Sequence, residues 1–276
     1  MISFVAVTTA TYIVLSLTFD GAITAFDLGF TPQIAAGGVL VLSLLFGPAA
    51  AWGSAIGYLG VDVVQGVLGF SSTFGAVGHF LPAYLSYNLW GNLGSLSSGS
   101  EPTMRSPQQI GEYLLVAFIS LVALIAITAW GNAVLGILPY FITVAASFIN
   151  HLIPAVIIGP PALYFLYPRL RAKDLSYHGI SESEPSMWHI YVTSFLLLSW
   201  VLLGSVISIG YQIYQQVPYQ SFVRRDLEFL RTLAGIAFGS TGGRIQAVLG
   251  SILFSALLLV LIYRGGFGRV DRTTKE

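Results

Sequence analysis

Three ionisable side chains stand inside otherwise apolar stretches of the chain: Asp62, His79 and His151. Each costs a few kcal/mol or more to place in hydrocarbon, which makes each a functional candidate. Four amides accompany them: Gln65, Asn88, Asn132 and Asn150. A carboxylate, two imidazoles and a set of amides suit reversible hydrogen bonding to a small polar molecule. Covalent chemistry is not indicated, because there is no HExxH pair, no GxSxG elbow, no glycine-rich P-loop and no cysteine. The Asn150-His151 dipeptide does not make a zinc site by itself, since zinc takes at least three protein ligands. The chain is therefore read as a non-enzyme that calls for no cofactor and no metal. With no ATP-binding motif, any active transport must draw its energy from a partner or an ion gradient. Trp52, Tyr58, Tyr84, Tyr87 and Trp90 could stack on a flat ligand, or belong to the aromatic belts of a membrane protein. The candidate substrate-binding set is Asp62, His79, Tyr84, Asn132, Asn150 and His151. The competing reading is interhelical glue, polar pairs that merely hold helices together.

These residues sit in a chain of 276 residues that is 55% hydrophobic and only 9% charged, with a mean hydropathy of +0.79. A soluble domain carries about 25% charged residues, and so little charge cannot cover a soluble surface of this size. That excludes a soluble enzyme and a disordered chain. Twelve Lys+Arg against twelve Asp+Glu exclude the basic excess that a nucleic-acid binder needs. An all-α polytopic membrane protein remains. The apolar runs are continuous rather than alternating, which argues against a barrel.

A crossing helix needs about 20 apolar residues. Eight segments are expected: Ile2–Phe19, Gln33–Phe46, Pro48–Phe70, Thr73–Leu93, Tyr113–Ala133, Ile137–Tyr167, His189–Ile213 and Ile245–Tyr263. The first is read as a retained helix, since no Lys or Arg precedes it. Gly47-Pro48 divides the second from the third with almost no loop, because proline opens a helix readily. Polar loops are expected over 94–109, 169–187 and 215–244, the last holding an amphipathic stretch, VRRDLEFLRTL, suited to a membrane surface. Residues 1–168 form a six-span substrate-binding unit. A cytoplasmic loop follows at 169–188, then two additional helices over 189–263 and a cytoplasmic tail at 264–276.

Lys and Arg placement sets the orientation. With both termini cytoplasmic in the cell membrane, the inside holds Arg105, Arg169, Arg171, Lys173, Arg264, Arg269, Arg272 and Lys275, and the outside holds Arg224, Arg225, Arg231 and Arg244. On that topology Asp62 lies roughly 12 Å and His79 roughly 9 Å below the outer ends of their spans, and Asn150 and His151 roughly 20 Å into theirs. Most of the polar groups then share the outer half, as a cavity open to the outside would require.

Ala6-Val-Thr-Thr-Ala10 in the first helix is similar to an AxxxA signature, and small-xxx-small spacing lets two backbones approach closely. Gly53 and Gly57 repeat the spacing and read as internal packing. The run Gly37 to Pro48, the small-rich third helix with Gly57, Gly60 and Asp62, and Leu138-Pro139-Tyr140 before a helix carrying Asn150 and Gly159-Pro160-Pro161 follow in order. Taken together, residues 1 to 168 resemble the membrane-embedded substrate-binding S component of energy-coupling-factor (ECF) transporters. The resemblance implies a six-helix fold that binds a vitamin-like micronutrient near the outer face. It also implies an ECF transmembrane coupling protein docked on Ala6 and Ala10 and two cytoplasmic ATPases. The expected partners are thus a small-molecule substrate, membrane lipid and that module, with no nucleic acid. The two helices after Pro168 are additional to the family's core, so a sensory or scaffold module of the same fold is the alternative.

Overall fold

The computed structural model describes residues 1–20, 32–177, 187–216 and 243–263. The VRRDLEFLRTL stretch, the C-terminal tail and the loop arginines 224, 225 and 231 lie outside the described residues. Eight helices stand among the described residues: α1 Ile2–Leu15, α2 Ile34–Phe46, α3 Pro48–Val64, α4 Ser71–Leu89, α5 Pro107–Val134, α6 Tyr140–Arg171, α7 Met187–Gln216 and α8 Gly243–Tyr263. A π turn, Ser16–Asp20, continues α1, and another, Phe148–Leu152, interrupts α6. All eight expected segments are helices. Five of them, α1 with its π turn, α5, α6, α7 and α8, are long and apolar enough to cross a membrane. The described residues form an all-helical fold, and its apolar spans are those of a membrane-embedded protein.

α2 sits at the centre, with every residue from Ala35 to Phe46 buried. At roughly 20 Å it is too short to cross the hydrocarbon core on its own. α3 and α4 pack against each other, α1 covers α3, and α5 covers α4. The α1–α3 seam depends on missing side chains. A Cβ on Gly57 would lie 2.9 Å from the Cβ of Tyr12, and one on Gly53 would strike the Thr8 hydroxyl. The hydroxyls of Thr8 and Thr9 donate across the seam to the carbonyls of Ala49 and Gly53, each at 3.2 Å. Gly53 and Gly57 are therefore internal packing. Ala6 and Ala10 lie on the opposite, exposed face of α1.

α3 ends at Val64, earlier than the apolar run to Phe70 suggests. Gly66 adopts φ +70, its amide donates to Val63, and the Val67 amide reaches back 2.9 Å to the Asp62 carbonyl. This is a Schellman stop, with glycine in the left-handed position. α5 ends in the same way: Gly136 has φ +69 and the Ile137 amide donates to the Asn132 carbonyl at 2.9 Å. At its other end α5 starts earlier than expected, at Pro107. A capping box there pairs Ser106 with Gln109.

The 94–106 segment is an ordered cap. Buried Glu112 accepts from the Gly91 and Ser98 amides, each at 2.7 Å, and from the Ser98 hydroxyl at 2.6 Å. Arg171 at the end of α6 meets Glu101 at 2.9 Å, and the Tyr177 amide donates to Leu45 at the α2 end, 2.7 Å away. Arg105, Arg169, Arg171, Lys173 and the Gly47-Pro48 corner thus share one end of the bundle. The 65–70 and 135–139 turns form the opposite end, and neither holds a Lys or Arg.

α7 and α8 pack directly onto the six-helix unit. The Tyr140 hydroxyl donates to the Trp200 carbonyl at 3.3 Å, and the Ser208 hydroxyl receives the Phe141 amide at 3.2 Å. That last bond serves one of the amides that every helix start leaves without an internal partner. Gln246 of α8 donates to the Gly204 carbonyl of α7 at 2.8 Å.

Candidate functional site

Four rings from four segments of the bundle meet inside it. Tyr12 comes from α1, Tyr58 from α3, His79 from α4 and His151 from the π turn of α6. His79 stacks on Tyr58 with centroids 4.5 Å apart, meets Tyr12 edge-on at 5.4 Å, and faces His151 at 6.4 Å. Counted along their helices from the 65–70 end, all four lie roughly 9–16 Å deep. They share one level, although the chain brings them from distant positions.

The π turn that carries His151 follows from Pro154. Proline has no amide proton, so the Asn150 carbonyl lacks its usual donor four residues on. The Gln33 amide, just ahead of α2, supplies that donor at 2.8 Å. One helix's orphan acceptor is satisfied by another helix's orphan donor, and this fixes α6 against the centre of the bundle.

The two imidazoles are held alike. His79 Nδ1 lies 2.8 Å from the Gly75 carbonyl, and His151 Nδ1 lies 2.8 Å from the Ser147 carbonyl. A carbonyl oxygen only accepts, so each Nδ1 carries the proton. In the neutral rings each Nε2 then presents a lone pair. His79 is 2% exposed and its Nε2 is buried without a hydrogen-bond partner. The Ser54 hydroxyl donates to the His79 carbonyl at 3.0 Å, which anchors this turn of α4 to α3. An unmatched buried acceptor costs about 1–3 kcal/mol, and the buried ring nitrogens of Trp130 and Trp200 are unmatched in the same way.

The other candidate residues divide. Asp62 is buried one turn above Tyr58 on the same face of α3, only two residues from the helix end. It therefore lies near the 65–70 end of the bundle rather than deep in the span. Asn150 adjoins His151 and has a buried Oδ1 without a partner. Tyr84 belongs to a separate ladder, stacked on Phe80 at 5.9 Å and meeting Tyr87 at 5.7 Å. Asn132 closes the α5–α6 turn, its side chain 3.5 Å from the Thr143 hydroxyl. The fold brings Asp62, His79 and His151 into one region and places Tyr84 and Asn132 elsewhere. Tyr12 is the member that sequence reasoning missed. Its one signal is a position four residues after Thr8, on the face that meets Gly53 and Gly57. Among the described residues no three His, Asp or Glu side chains form a metal-binding group.

Compared with family models, with curated proteins and with solved structures, the chain matches none.

Proposed function

We propose that the chain is a membrane uptake protein of the ECF S-component type. It binds a small micronutrient-like molecule at the four-ring site and passes it to a coupling membrane protein with cytoplasmic ATPases. The observation that carries this reading is the buried, unmatched Nε2 of His79 among three other rings. Among the described residues that lone pair meets no donor within hydrogen-bond reach, so it is a polar contact a bound molecule could take up. Asp62, near the 65–70 end of α3, and the Asn150 Oδ1, beside His151 and without a hydrogen-bond partner, are further polar groups in this part of the bundle. The exposed Ala6 and Ala10 stripe supports the second half of the proposal, because small residues on a membrane-facing helix permit close approach of another helix.

The test is affinity recovery of the tagged full chain from its native membrane. Wild type is expected to bring down a second membrane protein and an ATPase, and Ala6→Trp with Ala10→Trp is expected to lose both. Wild-type protein that repeatedly recovers neither would refute the ECF assignment.

A further inference from the structure

The two ends of α6 have different neighbours. Its first part, Tyr140–Ser147, packs against α5 and α7, and its last part, Ile153–Arg171, packs against α2. α7 grips the first part at its start. The Tyr140 hydroxyl donates to the Trp200 carbonyl, and the Phe141 amide donates to the Ser208 hydroxyl. The Tyr140 ring fills the space beside Gly204, where a Cβ would lie 2.6 Å from it. Gln246 of α8 bonds the carbonyl of that same Gly204, so α8 braces the grip. The last part of α6 is held elsewhere. A Cβ on Gly37 of α2 would lie 3.0 Å from the Pro154 and Ala155 backbone, and the Tyr113 hydroxyl of α5 donates to the Ala155 carbonyl at 3.0 Å.

The π turn Phe148–Leu152 lies between the two parts. Such turns occur mostly singly inside α-helices, and they are among the few places where a helix bends sharply. His151 spans this joint. Its Nδ1 donates to the carbonyl of Ser147, the last residue of the first part. The residue before it, Asn150, is fixed to the start of α2 through the Gln33 amide. His79 is tied instead to Gly75 in α4 and Ser54 in α3. A displacement of the first part therefore carries the His151 imidazole with it and leaves His79 behind.

We infer that α7 positions His151 within the four-ring cluster, acting through Tyr140–Ser147 with the π turn as the joint. The two helices after Pro168 are then a control on the cluster, because a shift of α7 against α6 sets the separation of the two imidazoles. That consequence rests on the uptake reading above, in which the cluster is the binding site. The coupling itself is a property of the fold.

Hydrogen exchange and nitrogen NMR of the histidine-labelled full chain in detergent test the coupling. Two α7 variants disturb the grip in different ways: Ser208→Ala removes the acceptor of the Phe141 amide, and Gly204→Ala pushes on the Tyr140 ring. Each is expected to speed exchange at the amides of 149–152 by about fivefold, the factor of one hydrogen bond, and to shift the His151 ring signals. The Nδ1 proton of His79 and the amides of 156–167 are expected to stay as in wild type. In either variant, unchanged exchange at 149–152 or an unmoved His151 ring overturns the inference. So does equal acceleration on both sides of the turn, which would make α6 a single rod. Should the variants not fold, wild type decides: the amides of 143–147 and of 156–167 are expected to open as two units with different rates, and one common rate across the turn overturns the joint. These outcomes are independent of the uptake reading, which is tested by recovery of the coupling protein and ATPase.

Discussion

The amide of Gln33 donates to the carbonyl of Asn150 across 2.8 Å, and Pro154 is why that carbonyl is free. Replacing Pro154 by alanine supplies a competing amide from within α6. A hydrogen bond of this kind is worth about 1 kcal/mol net, or roughly fivefold in an opening equilibrium. Pro154→Ala is expected to speed hydrogen exchange at the Gln33 amide by about that factor, with distant helices unchanged. Unaltered exchange at Gln33 would show that the proline does not govern this junction.

The two faces of α1 should respond oppositely to added bulk. A side chain on Gly57 meets Tyr12 at once. Gly57→Val is expected to cost about 1–3 kcal/mol, as overpacking does, and to lower the unfolding temperature in detergent. Ala6→Leu and Ala10→Leu add atoms to an exposed face and should stay within about 0.5 kcal/mol of wild type. Thermal unfolding of the three variants side by side checks this.

Glu112 and Glu101 offer a similar contrast. Glu112→Ala strips three donors of their acceptor beneath the 94–106 cap, at about 1–3 kcal/mol for each group left buried. The cap is expected to become cleavable by protease between residues 97 and 105. The Arg171–Glu101 pair is half-exposed, and such pairs contribute about 0–1 kcal/mol. Glu101→Gln should leave both protease resistance and stability close to wild type.

Much of the architecture was legible in the sequence, because apolar runs and glycine-proline breaks mark helices directly. All eight segments appear as helices for that reason. The depth of Asp62 was not legible from the apolar run, which continues through Val67, Leu68 and Phe70. Gln65-Gly66 carries the stop, since only a left-handed residue completes the Schellman bonds. Of the site, the residue types were legible and their grouping was not. His79 and His151 meet only because α2 is wedged between Gln33's bond to α6 and the packing of α3 and α4. Such a relationship is tertiary and leaves no local periodicity. Tyr84 and Asn132 have the right polarity, but their own helix turns aim them into other contacts.

Aromatic stacking at the site has its own consequence. Tyr58 lies over His79 with ring planes 23° apart, and such a pair contributes about 0.5–1.5 kcal/mol beyond burial. Tyr58→Phe keeps the ring and is expected to preserve thermal stability. Tyr58→Ala opens a cavity beside the imidazole and is expected to lose about 3–5 kcal/mol, as large aromatic truncations do. Unfolding of both variants, compared with wild type, separates the ring from the hydroxyl.

Native mass spectrometry of gently purified full chain tests the binding claim most directly. The expected spectrum shows wild type carrying a small organic adduct at substantial occupancy. His79→Phe combined with His151→Phe should lose that adduct while remaining folded. Wild type bare under conditions that preserve bound lipid, or an adduct untouched by removal of both imidazoles, would contradict the claim that these rings form a ligand site.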